Sequence, residues 1–439
     1  MRDYLSALGR EGEVRLVKRE VDPRHELAAV IQASQEESEA ALLFERVRGS
    51  SLPVAANLYG SRRRLCRIIG ADDGNFCRRW VELTAALDDV AATQPGNAGP
   101  LVSGRISELP QITYYERDAG PYFTSAVFLA REPESGVANL SFHRAQVMSD
   151  QELRVRLGPS HDLAKYQAQA EARGEALEAA MLIGAPPEVF LAAAASLPIN
   201  ADEMQAAAAI AGSPIAVRPC NTVDLEVPVA SEIVIEGRIL PGLCRPEGPF
   251  GEFMGYYVPV GDNAVFEVSQ VSWREGATFQ ALLCSSADDY RLLETAIAAR
   301  IYRHLTETAK LPGIVDVSCQ PTLLNTVVQI DKQSHDHPRE VLLAAFDAHP
   351  DYSKMCVVVD CDVDPYNMSQ AMWAYLTRGR ADTRAFIIEN VPGFYRDEHR
   401  DHWGRLAIDA TKPWGREAEF ERTRIPGVER VRLSDYLSG

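Results

Sequence analysis

Two glutamates five positions apart, Glu247 and Glu252, stand in the stretch Arg245-Pro246-Glu247-Gly248-Pro249-Phe250-Gly251-Glu252-Phe253-Met254-Gly255-Tyr256-Tyr257. Proline fixes φ and removes a donor, and glycine opens positive φ, so no regular helix fits here. A regular strand would send residues five apart to opposite faces. The segment must curl, and a curled loop can aim both carboxylates into one space. Two nearby carboxylates repel, so one of them tends to keep its proton near neutrality unless a cation intervenes. A charged and a neutral acid side by side form a proton-transfer pair. A tight turn with two solvated glutamates is the competing reading of the same spacing.

Other residue types could serve such a pair. Arg144 has the planar fork that holds a glutamate and a substrate acid together, although an exposed strand arginine is the commoner case. Asn139, His161 and Glu203 offer two oxygens and a nitrogen, a set for Mg²⁺ or, with imidazole, Mn²⁺. Asn200 followed three residues later by Glu203 also reads as a variant capping box, which would make Glu203 purely structural. Asp360-Cys361-Asp362-Val363-Asp364 opens like a calcium loop, but Pro365 and Ala371 stand where its glycine and glutamate belong. A strand end followed by a helix cap explains it better. His399-Arg400-Asp401-His402 reads as a solvated polar loop. No GxGxxG, P-loop, HExxH or GxSxG pattern occurs.

The elements that must carry these residues change character along the chain. Residues 1–110 mix short helices (26–35, 77–87) with brief strands (40–45, 53–58), and Arg62-Arg63-Arg64 reads as solvated surface. From 111, the runs 124–130 and 138–148 form a hairpin about Pro133-Glu134-Ser135-Gly136, whose return strand bears Asn139, His143 and Arg144. Residues 162–212 read as a helical insertion, with Asp162 as a cap and Pro186-Pro187 opening a second helix. Strands return at 232–239, 265–273 and 278–284, and several in succession predict a barrel. Residues 291–439 alternate helix and strand, an α/β pattern, before a loop-rich C-terminal stretch with Pro392-Gly393.

With 439 residues, 46% of them hydrophobic, the chain has room for about two to four domains. A net charge of −17 argues against nucleic-acid and anionic-membrane partners. The eight cysteines lack zinc or CxxC spacing and read as reduced thiols. The most apolar run, near Phe190 to Leu197, is too short to span a bilayer. A cytoplasmic protein with no membrane attachment is expected.

The ordered motifs resemble those of the UbiD-like decarboxylases, which use prenylated FMN. Glu-Gly-Pro-Phe-Gly-Glu-x-x-Gly-Tyr at 247–256, Gly136-Val137-Ala138-Asn139 with His143-Arg144, and Asp224-Leu225-Glu226-Val227-Pro228 carry the likeness, with Ser231 to Gly237 and Ile408-Asp409-Ala410-Thr411-Lys412-Pro413. The resemblance covers nearly the whole chain. It implies an N-terminal α/β region (1–110), a split β-barrel like that of flavin reductases (111–290) and a C-terminal α/β dimerisation domain (291–439). It implies Arg144, Glu247 and Glu252 as the catalytic set. It implies Mn²⁺ (or Mg²⁺) on Asn139, His161 and Glu203, gripping the cofactor phosphate, with K⁺ sharing Glu203. Thr124, Ser160 and Lys354 are implied as further cofactor contacts. The implied reaction is reversible, non-oxidative decarboxylation of an aromatic, heteroaromatic or α,β-unsaturated acid through a covalent adduct with the flavin. A flavin prenyltransferase would supply the cofactor, and the assembly would be a homodimer or homohexamer. His335, Asp336 and His337 would make the cofactor rim unusually polar. A flavin-binding accessory protein without decarboxylase activity is the alternative.

Overall fold

Two long antiparallel strands, Ile233–Glu247 and Gly261–Arg274, form the spine of the protein in the computed structural model. The structure describes residues 1–85, 87, 90–159, 161–195, 197, 201–349, 352–391, 403–432 and 435–436. Ser160, Asn200, Pro392-Gly393 and His399 to His402 lie outside them. The chain divides into two compact units, Met1–Arg300 and Ile301–Gly439.

In the first unit the spine belongs to a nine-stranded sheet. Its order is Tyr122–Phe123, Ala145–Val147, Glu152–Val155, Gly261–Arg274, Ile233–Glu247, Leu177–Ile183, Val127–Arg131 and Ala138–Phe142, with Leu101–Gly104 added to the far half of Gly261–Arg274. Ala145–Val147 and Ala138–Phe142 are six strand spacings apart in that order, about 29 Å on a flat sheet. Yet only His143 and Arg144 join them, and that connection reaches about 10 Å at most. The sheet must therefore curl until its two ends meet, which is the half-barrel. The single return strand expected over 138–148 is thus two strands, Ala138–Phe142 at one end of the sheet and Ala145–Val147 next to the strand at the other, with His143 and Arg144 at the seam.

The stretch expected to be a helical insertion contains a central strand of this sheet, Leu177–Ile183, between the helices Asp162–Ala172 and Pro187–Ala192. It is buried almost throughout, so it shows no polar alternation, and its Ala-Ala-Met-Leu composition mimics a helix. Asp162 is the first residue of its helix, and His161 holds the cap position. The run 278–284 also goes elsewhere than expected. Phe279–Gln280 pairs in parallel with Val54–Ala56, extending the four-stranded N-terminal sheet. Leu42, Phe44 and Val54 of that sheet share one core with Phe123, Phe128, Phe266 and Phe279. The arginine run opens the helix Arg62–Ile69, and Arg64 is buried rather than solvated. Its Nη2 donates to Asn57 O at 3.0 Å.

The second unit holds a mixed five-stranded sheet in the order Ile314–Ser318, Asn325–Ile330, Met355–Asp360, Trp403–Asp409 and Ala385–Val391. Trp403–Asp409 lies in the stretch expected to be loop-rich, yet it sits inside the sheet. The acidic run after Met355–Asp360 is a strand end. Arg378 binds Asp360 at 2.8 Å and Asp362 at 2.7 Å, and Asn367, not Asp364, caps the helix Met368–Arg378.

Candidate active site

Glu247 is the last residue of its strand, opposite Gly261. Gly248, at φ +93°, then turns the chain away in a conformation that other residues rarely adopt. The Glu247 side chain is fully buried and accepts four hydrogen bonds. Arg144 donates from Nε to Oε1 at 2.9 Å and from Nη2 to Oε2 at 2.8 Å. The Tyr122 hydroxyl donates to Oε1 and Asn263 Nδ2 to Oε2, both at 2.8 Å. A carboxylate so satisfied is a sound partner for a buried arginine. Burial, then the Glu247 charge, pushes the Tyr122 phenol well above its usual range, so it remains a donor. The Phe250 ring lies beneath the guanidinium at 4.8 Å and against Tyr122 at 4.5 Å. Glu247 takes two of the five N–H groups of Arg144, and among the described residues the other three face no acceptor within hydrogen-bonding distance.

Glu252 is buried in the turn that follows, where Gly255 N donates to its carbonyl at 2.9 Å. The acid that feels the Glu252 charge is Asp289, at the start of the helix Ala287–Arg303. Burial pushes the Asp289 carboxyl up to about 7, against the Ser285 N–H that donates to it at 2.8 Å, and the Asp288 and Glu252 charges push the same way. The Cys284 thiol feels the charges of Asp289, Arg144 and Glu252 together, which sets those three, with the Glu247 bound to Arg144, in one neighbourhood. Sequence reasoning missed Asp289 because Ser-Ala-Asp-Asp at a helix start reads as capping.

The metal set clusters around the strand Ala138–Phe142. Asn139 is buried, and Ser141 Oγ lies 2.9 Å from both Asn139 Oδ1 and His143 Nε2. Burial, with the His161 charge, drives His143 down to about 3, leaving a neutral imidazole. The His161 ring is 5.3 Å from it, and burial lowers its pKa as well. Glu203 is the first residue of the helix Glu203–Ala211, not the third. Asp202 caps that helix through Met204 N at 2.8 Å, so the capping-box reading of Glu203 fails. Its carboxylate instead accepts from Leu140 N at 3.3 Å, next to Asn139. Burial pushes the Glu203 carboxyl up to about 8. A carboxyl, an imidazole and an amide oxygen are a donor set that suits a hard or borderline cation, whose charge would draw the proton from the buried Glu203. Among the described residues no group of three or more His, Cys, Asp or Glu could hold a metal, and this set contains only two of those types.

Of the remaining candidates, Thr124 is buried with its hydroxyl committed to the protein. It donates to Leu282 O at 2.6 Å and shares a 2.9 Å hydrogen bond with Tyr114. A cofactor would meet its backbone or methyl group. Lys354 stands just before Met355–Asp360 in the second unit, its N–H on Leu324 O at 2.8 Å. In the same unit His335 and Asp336 are exposed and bonded to each other at 2.9 Å, while His337 is buried and accepts from Gln333 N at 3.2 Å.

A curled sheet that holds an arginine on a fully buried carboxylate, with a second buried acid near the guanidinium, can bind a carboxylic acid and carry a proton. Comparison with known proteins names the group. Residues 5–84, 100–287 and 291–410 match the N-terminal, Rift-related and C-terminal domains of the UbiD family, described as 3-octaprenyl-4-hydroxybenzoate carboxy-lyase. The chain is 33% identical to anhydromevalonate phosphate decarboxylase of Methanothermobacter thermautotrophicus, over 96% of this chain and 99% of that protein. The structure of the UbiD-class enzyme HmfF from Pelotomaculum thermopropionicum in complex with FMN superposes with a TM-score of 0.92, at 32% identity and 99% coverage of both chains. Vanillic acid decarboxylase of Sedimentibacter hydroxybenzoicus superposes with a TM-score of 0.85, at 26% identity over 99% of this chain and 97% of that one. The chain belongs to the UbiD family and is a carboxy-lyase of that family. Among the described residues no helix is long and apolar enough to cross a membrane.

Proposed function

We propose that this protein removes CO₂ from an aromatic, heteroaromatic or α,β-unsaturated carboxylic acid with the help of prenylated FMN. The observation that carries the reading is the buried Arg144–Glu247 fork, with three N–H groups of the arginine left for a second carboxylate. Loss of CO₂ leaves an electron pair on carbon, and no side chain at the site accepts it; the bound flavin, whose FMN or prenylated form occurs in the HmfF structures, supplies that sink. Asn139, His161 and Glu203 would hold Mn²⁺ or Mg²⁺ against its phosphate, with K⁺ sharing Glu203, and the Thr124 backbone and Ser160 would be further contacts.

The chain's own residues do the rest. Arg144 binds the substrate carboxylate, and Glu247 fixes the plane of its guanidinium. Phe250 covers that guanidinium and keeps water from it. Glu252 delivers the proton that replaces CO₂, and Asp289, which keeps its own proton up to about pH 7, is the neighbour that resupplies it. The complete set of Arg144, Glu247 and Glu252 speaks against a flavin-binding accessory protein. An evolved form of HmfF that carries prenylated FMN is dimeric, which supports a homo-oligomer here, a homodimer or a homohexamer. A flavin prenyltransferase would supply the cofactor.

The test is CO₂ release by the flavin-loaded protein across a panel of such acids. Turnover is expected with at least one of them, falling as pH rises through about 7, where Asp289 loses its proton. A loaded protein inert toward every acid in the panel would overturn the proposal. His161→Ala should lower bound metal and bound flavin together, read by elemental analysis and flavin absorbance of the purified protein. Normal levels of both would reject the metal assignment.

A further inference from the structure

The loop bearing Glu252 leaves the sheet at Glu247 and returns at Gly261, and a separate segment, Tyr115 to Ala119, touches both of its arms. Ala119 N donates to Pro249 O at 2.9 Å. Asp118 Oδ1 accepts from Gly251 N at 2.8 Å, and Asp118 Oδ2 accepts from Tyr115 N at 2.9 Å. Asp118 N donates back to Tyr115 O at 3.1 Å, so the segment is itself a closed turn. The Tyr115 ring lies so close to Gly251 that a Cβ there would collide with it. The Tyr115 hydroxyl is anchored on Cys284 O at 2.5 Å. On the returning arm, Arg117 N donates to the Tyr257 hydroxyl at 3.2 Å, the Arg117 guanidinium covers the Tyr257 ring at 4.8 Å, and that ring meets Tyr115 edge-on at 6.4 Å. Glu252 stands between the two arms.

We propose that Asp118 is a positioning residue for Glu252: its carboxylate ties the Gly251 N–H to the Tyr115 turn and so fixes where the following side chain can deliver a proton. The inference rests on the role given to Glu252 above. It follows from the wiring. Gly251 is the residue immediately before Glu252, and its N–H bond to Asp118 fastens the backbone there to a side chain of a different segment. Burial raises the Asp118 carboxyl, and the N–H groups of Tyr115 and Gly251 pull it back, as befits an acceptor committed to backbone donors.

Asp118→Ala is the test. Displacing a reacting group by about 1 Å costs roughly 100-fold in rate. We expect kcat to fall about 10- to 100-fold with KM within about twofold, the pattern of an interaction used only at the chemical step. Flavin content should stay at the wild-type level, and amide hydrogen exchange in peptides spanning 249–257 should accelerate while the rest of the protein keeps its protection. Asp118→Asn retains one acceptor oxygen but turns its amide group toward the other N–H, and should lie between wild type and Asp118→Ala on both readouts. It decides the matter if Asp118→Ala does not fold. Unchanged kcat, or unchanged exchange at 249–257, overturns the proposal. If the wild type turns over and Glu252→Gln does not, a fully active Asp118→Ala defeats this inference alone. If the wild type shows no turnover, the reading of function fails, and the exchange measurement still decides the clasp.

Discussion

Glu252→Gln is expected to abolish turnover while leaving the flavin bound. Glutamine keeps the size and the burial of the side chain but has no acidic proton to give. A positioned general acid contributes about 10²- to 10⁴-fold, so the loss should be about 10³-fold, with Asp289 left to supply what proton delivery remains. The backbone of Glu252 is held by Tyr256 O at 3.0 Å and Gly255 N at 2.9 Å, contacts the substitution does not disturb, so the fold should survive. CO₂ release and flavin absorbance measured on the same preparation separate the two effects. Asp289 is the internal control. It lies close enough to Glu252 to feel that charge, and any residual proton delivery in Glu252→Gln should vanish with Asp289→Asn. Full activity in Glu252→Gln would remove that residue from the mechanism.

The loop of the two glutamates was legible in the sequence because glycine and proline at fixed positions forbid regular structure there and leave few ways to fold. What the pattern could not convey was which charges meet. Repulsion between Glu247 and Glu252 is the natural inference from five-residue spacing, but Glu247 is spoken for by Arg144, 103 positions earlier in the chain. The true neighbour of Glu252 comes from the helix at Ala287, and no local rule connects the two. The seam was hidden for a related reason. Residues 138–148 are apolar enough for one strand, and only the closure of an eight-strand path shows that His143 and Arg144 must bridge its ends. Leu177–Ile183 was missed because a strand buried on both faces loses the alternation that marks strands at the surface, and Trp403–Asp409 because its burial runs against residue type, with Arg405 buried and Leu406 exposed. Glu203 was ambiguous by type alone, since a glutamate near a helix start caps as readily as it ligates. The side chain of Asp202, which takes over the cap, settled that ambiguity.

Arg144→Ala should damage stability and activity by separable routes. Its side chain is largely buried and that of Glu247 wholly so, which places the pair where removing one partner leaves a costly charge behind. Breaking such a pair costs about 3–5 kcal/mol, and because Tyr122 and Asn263 still donate to Glu247, the lower end is expected. The same substitution removes the guanidinium proposed to receive the substrate acid, and truncating a buried hydrogen-bonded charge pair of that kind costs about 2–5 kcal/mol, or roughly 30- to 5,000-fold in kcat/KM. Adding Glu247→Gln should tell the two losses apart. With no charge left to bury, the double variant should regain much of the lost melting temperature. Its kcat/KM should stay as low as that of Arg144→Ala, because the substrate still meets no guanidinium. An Arg144→Ala protein with undiminished kcat/KM would leave the proposed carboxylate site without a binder, and a double variant no more stable than the single one would show that Glu247 is not the charge the arginine neutralises.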